Sequence, residues 1–115
     1  MNFNSDFKYD LQLGQLGEKY LNHILAYKKI EVKTDLQFKD TGNIYIEYES
    51  RNKPSGIAST QSDWYAIVLS KEKIILITTD KLKDLCRKYI GTEYDKRGGD
   101  KNTSKGICIP IKEIL

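Results

Sequence analysis

"VKTDLQFKDTGNIYIEYESRNKPSG", residues 32–56, sets three carboxylates, Asp35, Glu47 and Glu49, on or beside two runs of strand-forming residues. The first run lies in "KIEVKTD" (29–35), where Ile30, Val32 and Thr34 alternate with Glu31, Lys33 and Asp35. The second is "IYIEYES" (44–50), with Ile44, Ile46 and Tyr48 on one side and Tyr45, Glu47 and Glu49 on the other. Successive side chains of a strand point to opposite faces, so each run predicts a strand with its apolar side inward and its acids turned away from the core. "LQFKDTGN" between them reads as a loop with a Gly-Asn turn, and a hairpin is the economical way to join the two runs. The Pro and Gly of "RNKPSGIAST" then end the second strand.

Outward from this stretch the pattern is equally local. Before it, apolar residues at 13, 16, 20, 21, 24, 25 and 27 recur at helical spacing and predict a helix over 11–27 with one buried arc. Measured from Leu16 at about 100° per residue, Leu25 stands at about 180° and Glu18 at about 200°, on the rim of that arc. His23 falls on the flank. Gly14 and Gly17 lower helix propensity and are compatible with close approach of another backbone or with simple tolerance. After the stretch, "DWYAIVLS" (63–70) and "KIILITT" (73–79) predict a second hairpin of well-buried strands, with Trp64 and Tyr65 read as core and sheet residues. Asp80 is placed to cap a helix "KLKDLCRKYIG" that ends at Gly91. A polar, mobile segment is expected over 92–105, then a last strand "GICIPI" (106–111), which Pro110 assigns to a sheet edge. The expected architecture is α/β (α+β), a sheet of four to five strands flanked by helices, in a single domain of 115 residues.

Composition narrows the function only slightly. Nineteen Lys and Arg against sixteen Asp and Glu leave a formal +3, too little to imply nucleic acid by itself. Basic residues nevertheless gather at Lys28 and Lys29, at Arg51 and Lys53, in "KLKDLCRK" (81–88) and in "DKRGGDKNTSK" (95–105), with Lys96, Arg97, Lys101 and Lys105; they either touch phosphates or form a solvated face. Cys86 and Cys108 lie in apolar stretches without a CxxC or clustered histidines, which disfavours zinc and predicts reduced thiols. The polar N-terminus and the lack of a long apolar run predict no membrane partner and a cytoplasmic location.

Chemistry enters through the acids. Paired strands lie about 4.8 Å apart, so Asp35 at the end of one strand and Glu47 in the middle of the next are placed to chelate one hard cation, Mg²⁺ or Mn²⁺. Lys33, on the face of Asp35, and Lys53, just beyond Glu49, are candidates for the positive charge that orients a nucleophile or stabilises a pentavalent phosphate. A half-buried strand with a wet face gives the same alternation without any chemistry. Ser55 and Gly56 are read either as N–H donors to a phosphate or as a plain turn.

The arrangement resembles the PD-(D/E)XK nuclease superfamily: a helix Glu, an Asp ending a strand, and on the next strand Glu, any residue, and usually Lys. Glu18, Asp35 in "TD", and "EYE" (47–49) match these positions. "EVKTD...TGNIYIEYESRNKPSGI" with "GGD" (98–100) is similar to a group of small phage-type proteins assigned to this superfamily as endonucleases. The resemblance spans roughly residues 14 to 111. It implies a restriction-endonuclease-like core and a Mg²⁺- or Mn²⁺-dependent hydrolase acting on DNA phosphodiester bonds, with junction or branched DNA and a homodimer as a subtype by analogy. It further implies metal ligation by Asp35, Glu47 and the Tyr48 carbonyl, with Glu18 and Glu49 on a second ion or positioning water. Glu49 stands where most members carry Lys, so Lys33 or Lys53 is expected to take that role. A second assignment, with "EVK" (31–33) as the motif strand, leaves only Glu18 as an acid before it. The rival function is a catalytically inactive nucleic-acid- or protein-binding module on the same fold.

Overall fold

The computed structural model describes residues 3–115, with the side chains of residues 3–7 and of Asp100 outside that description. It is a mixed α/β structure of three helices and two sheets. The elements run α1 (Phe3–Tyr27), β1 (Ile30–Thr34), α2 (Phe38–Thr41), β2 (Asn43–Ser50), β3 (Lys53–Pro54), β4 (Trp64–Ser70), β5 (Lys73–Thr78), α3 (Thr79–Tyr89), β6 (Asp95–Gly98) and β7 (Ser104–Pro110). One sheet has the order β1-β4-β5 and the other β3-β2-β7-β6.

The hairpin expected between β1 and β2 does not form. β1 instead pairs in parallel with β4, Ile30 opposite Trp64 and Thr34 opposite Val68, while β2 pairs antiparallel with β3 and β7. The connecting loop holds the four-residue α2 and then Gly42 in the left-handed region, φ 71°, its N–H on the Phe38 carbonyl. This turn carries the chain into a different sheet. The β4–β5 hairpin forms as expected, Tyr65 opposite Ile77 and Ile67 opposite Ile75.

The core draws on both sheets and on α3. Ile44 and Ile46 of β2, Ile107 and Ile109 of β7, Ile67 of β4 and Leu82 of α3 are each fully or almost fully buried, and such side chains contribute roughly 1.5–3 kcal/mol apiece on burial. The alternation read in β2 therefore holds for its inward residues. In β1 it does not: Val32 is exposed while Lys33 and Asp35 are half-buried, because the register with β4 sets Lys33 beside the buried Ile67 and Val32 beside Ala66 on the other face.

Three further expectations are corrected. Thr78, not Asp80, caps α3, its side chain accepting from the Lys81 N–H. The segment 92–105 is built into the sheet as β6 and a 3-10 turn. β7 is not an edge strand; it lies between β2 and β6, and Pro110 is tolerated because it is the last residue of the strand, beyond the reach of β6. Both cysteines are free, Cys86 buried and Cys108 half-buried. Among the described residues, no helix is long and apolar enough to cross a membrane.

Candidate functional site

The two sheets approach each other where β1 ends and β2 begins, and Asp35 bridges them. Its N–H continues the ladder onto the Val68 carbonyl of β4 at 2.9 Å. Its carboxylate accepts from the Tyr45 N–H of β2 at 3.1 Å through Oδ2 and from the Gln37 N–H at 3.2 Å through Oδ1. A strand end places one carboxylate where an unpaired β2 donor needs an acceptor.

Tyr45 is the centre of this face. Its hydroxyl shares a 2.7 Å hydrogen bond with Ser104 Oγ, and the Lys33 ammonium lies 5.9 Å from its ring centroid, at the outer limit of a cation–π contact. The ring lies over glycines. A Cβ on Gly106 would stand 2.5 Å from Tyr45 Cζ, and one on Gly98 3.0 Å from it. Thus the first Gly of "GGD" and the Gly of "SKGI" leave room for Tyr45. Burial pushes the Tyr45 hydroxyl up in pKa, the Ser104 hydrogen bond opposes this, and the charge of Glu47 adds to it.

Glu47 is fixed by the "KPSGI" loop. The Ser55 hydroxyl donates to Glu47 Oε2 at 2.7 Å, a short charge-assisted bond. Gly56, at φ 53°, packs so closely that an added Cβ would lie 2.2 Å from the Glu47 carbonyl oxygen. In the β-register Glu47 lies opposite Gly106, which lies opposite Lys96, so acid and base occupy one cross-strand row with a glycine between them. Two shallow clefts divide these residues between them, and Tyr45 lines the second. One, of about 170 Å³, is lined in part by Glu31, Lys33, Glu47 and Gly56. The other, of about 340 Å³, includes Asp35, Tyr45, Lys96, Arg97 and Cys108. Burial raises the Cys108 thiol, with Lys96 opposing and Asp35 reinforcing the shift.

Glu49 is not on this face. A β-bulge between Glu47 and Glu49 sets Glu47 opposite Gly106 but Glu49 opposite Lys105, the adjacent residue of β7. Neighbours on a strand point to opposite faces, so the bulge separates two acids that simple alternation places together. Glu49 Oε2 instead lies 3.5 Å from the Lys105 ammonium, with both side chains about one-third exposed. An ion pair this exposed is worth about 0.2–1 kcal/mol. Accordingly Glu49→Gln is expected to lower stability by less than ~1 kcal/mol in urea unfolding.

The other expected residues are distributed around this face. The Tyr48 carbonyl accepts from the Ser55 N–H at 3.1 Å, so that N–H is engaged within the loop and not open to a phosphate. Glu18 is exposed on α1, and among the described residues no three His, Cys, Asp or Glu side chains gather as a metal cluster. Lys53 is exposed in β3 and lines neither cleft, whereas Lys33 shares one cleft with Glu47 and Lys96 shares the other with Asp35. Arg51 and Lys101, both with positive φ, sit in the β2–β3 and β6–β7 turns, which the Arg51 N–H ties together through the Thr103 carbonyl at 2.9 Å. Arg97 pairs with Lys105, in the row of Glu49.

Tyr45, Ser104 and Gly106 were not singled out by sequence reasoning, and Gly98 entered only as part of "GGD". Their signal is the small residues at 104 and 106 alternating with Ile107 and Ile109, which leaves one face of β7 bare for a large ring. On the inner face, Tyr48 donates to Asp95 Oδ1 at 2.7 Å, and burial first, then that hydrogen bond, push its hydroxyl up to about 12. An unfolded tyrosine ionises near pH 10, so this raised value favours the fold below pH 10 and is lost as pH rises through about 12. Tyr48→Phe is expected to show a shallower fall in stability over that window, read by urea unfolding at a series of alkaline pH values.

Carboxylate chemistry fits a hard cation here. Mg²⁺ is usually held by one or two carboxylates and keeps several waters. Asp35 and Glu47 retain free lone pairs beyond the bonds described, since each carboxylate has about four acceptor sites. No family model, curated protein or solved structure matches this chain.

Proposed function

We propose that the protein is a Mg²⁺- or Mn²⁺-dependent endonuclease that hydrolyses DNA phosphodiester bonds. The observation that carries this reading is that Tyr45 links Asp35, Lys33 and Glu47. Asp35, just past β1, accepts from the Tyr45 N–H, the Lys33 ammonium lies 5.9 Å from the Tyr45 ring centroid, and Glu47 stands two positions further along β2 in the cleft that Lys33 also lines. Asp35 and Glu47 would hold the cation. A bound hard cation supplies an activated water and neutralises charge on the phosphate. Lys33 takes the place of the motif lysine, since Glu49 points to the other face. Lys96 lies in the row of Glu47 and meets a neighbouring phosphate, and the turns with Arg51 and Lys101 extend the basic surface. Tyr45 and Ser55 hold the two acids in place, the first through its backbone and the second through its hydroxyl.

A second reading, a binding module without catalysis, has one observation in its favour: the described residues form no group of three ligating side chains. The test is incubation of the purified chain with supercoiled, linear, single-stranded and four-way-junction DNA, with and without Mn²⁺. The proposal expects nicking that requires the metal. Cleavage of none of them, or cleavage undiminished in Asp35→Asn and Glu47→Gln, contradicts it.

A further inference from the structure

Helix α1 carries an apolar face that its own chain does not cover. Tyr9, Leu13, Leu16, Tyr20 and Tyr27 are each at least half exposed, and of the described α1 residues only Ile24 is buried. These five fall within an arc of about 60° at about 100° per residue. With His23 they repeat at spacings of four and three, the a and d positions of a heptad over 9–27. The molecule measures 60 × 29 × 27 Å, and a 25-residue helix accounts for roughly 37 Å of length.

We propose that this stripe is the interface with a second copy of the same chain, the two α1 helices packing antiparallel. Three observations identify that occupant. The first is area: the stripe presents roughly 600 Å², more than most monomers leave open and most of the ~800 Å² per partner of a standard interface. The second is a groove of about 570 Å³ beside the C-terminal half of α1, lined by Leu16, Lys19, Tyr20, His23, Ile24, Lys28 and Trp64. From Lys8 to Gln15 every α1 side chain is exposed, and this half forms the free knob that such a groove takes. Antiparallel pairing seats each free half in the other copy's groove and makes every contact twice, as a two-fold interface requires. Parallel pairing would set groove against groove and drive the two sheet bodies together.

The third observation is charge. Asp6, Asp10 and Glu18 stand with Lys8 and Lys19 on α1, and Lys28 and Lys29 follow it, so the helix carries mixed charge rather than the many clustered basic residues that an anionic lipid surface or a nucleic acid takes. The inference does not depend on the cation site.

The test is sedimentation equilibrium on the full chain, which reads mass whether or not DNA is cut. The parent is expected to dimerise in the micromolar range. Leu13→Asp with Leu16→Asp should be monomeric with an unchanged thermal transition of the body, because both side chains are exposed in the fold. Oxidative cross-linking of mixed chains, one carrying Tyr9→Cys and the other Tyr27→Cys, should exceed that between two Tyr9→Cys chains, with the parent as the control for Cys108. A parent that stays monomeric into the millimolar range overturns the proposal, as do a double variant that still dimerises, preferential Tyr9→Cys self-linking, or a monomer that binds anionic vesicles instead.

Discussion

Asp35→Asn is expected to lower metal-dependent DNA cleavage by at least ~10³-fold, about 4 kcal/mol of transition-state stabilisation. The change is nearly isosteric but removes the anion that would hold the cation. It also disturbs the fold, because Asp35 accepts from the Tyr45 and Gln37 N–H groups through different oxygens. An asparagine offers one carbonyl oxygen and turns an N–H₂ donor toward the other N–H, so one of these donors loses its acceptor at a cost of about 1–3 kcal/mol. Glu47→Gln separates the two effects. Its carbonyl oxygen still accepts from the Ser55 hydroxyl, so stability should change by less than about 1 kcal/mol while cleavage falls as far as in Asp35→Asn. Both variants are to be assayed at a temperature where urea unfolding shows each of them fully folded. Equal rates for parent and Glu47→Gln would remove this carboxylate from the chemistry.

Gly56→Ala is expected to be the most damaging single methyl in the chain. Its Cβ would sit 2.2 Å from the Glu47 carbonyl oxygen and 2.9 Å from its carbon, both backbone atoms of β2, at a residue with φ 53°. Neither strand nor loop can yield without breaking the Ser55 bonds to Tyr48 and Glu47. We expect a loss of about 3–5 kcal/mol in urea unfolding, together with loss of cleavage, because the displaced backbone carries Glu47. Gly42→Ala is the control. It shares a positive φ, 71°, but meets nothing within 4 Å, so only the left-handed conformation is penalised, at about 1–2 kcal/mol. Similar losses at the two positions would show that the contact with Glu47 is unimportant.

How legible this was in the sequence depended on distance along the chain. The β4–β5 hairpin, α3 and the inward face of β2 were readable, since alternation and helical spacing are local signals. Asp35 was readable as a strand-end acid, although its partner Tyr45 was not. The parallel pairing of β1 with β4 lies beyond local reading, because 34 positions separate Ile30 from Trp64 and neither run names its partner. The bulge that parts Glu47 from Glu49 depends on what β7 places opposite, Gly106 and then Lys105. Spacing alone had put both acids on one face. For α1 the spacing predicted the helix, but the arc read as buried is exposed, Ile24 alone being buried among its described residues, because helical periodicity does not say whether another element covers the face. Pro110 misled because a proline forbids a ladder bond only at its own position, here the end of an internal strand.

The central claim is that Asp35 and Glu47 form one cation site at Tyr45. Titration of Mn²⁺ into the isotopically labelled protein without DNA, followed by paramagnetic broadening of backbone amide signals, tests it most directly. The account predicts that the amides of Asp35, Tyr45, Glu47 and Ser55 broaden first, and that this selective loss disappears in the Asp35→Asn, Glu47→Gln double variant. Broadening centred on Glu49 or Glu18, or unchanged in the double variant, would contradict it.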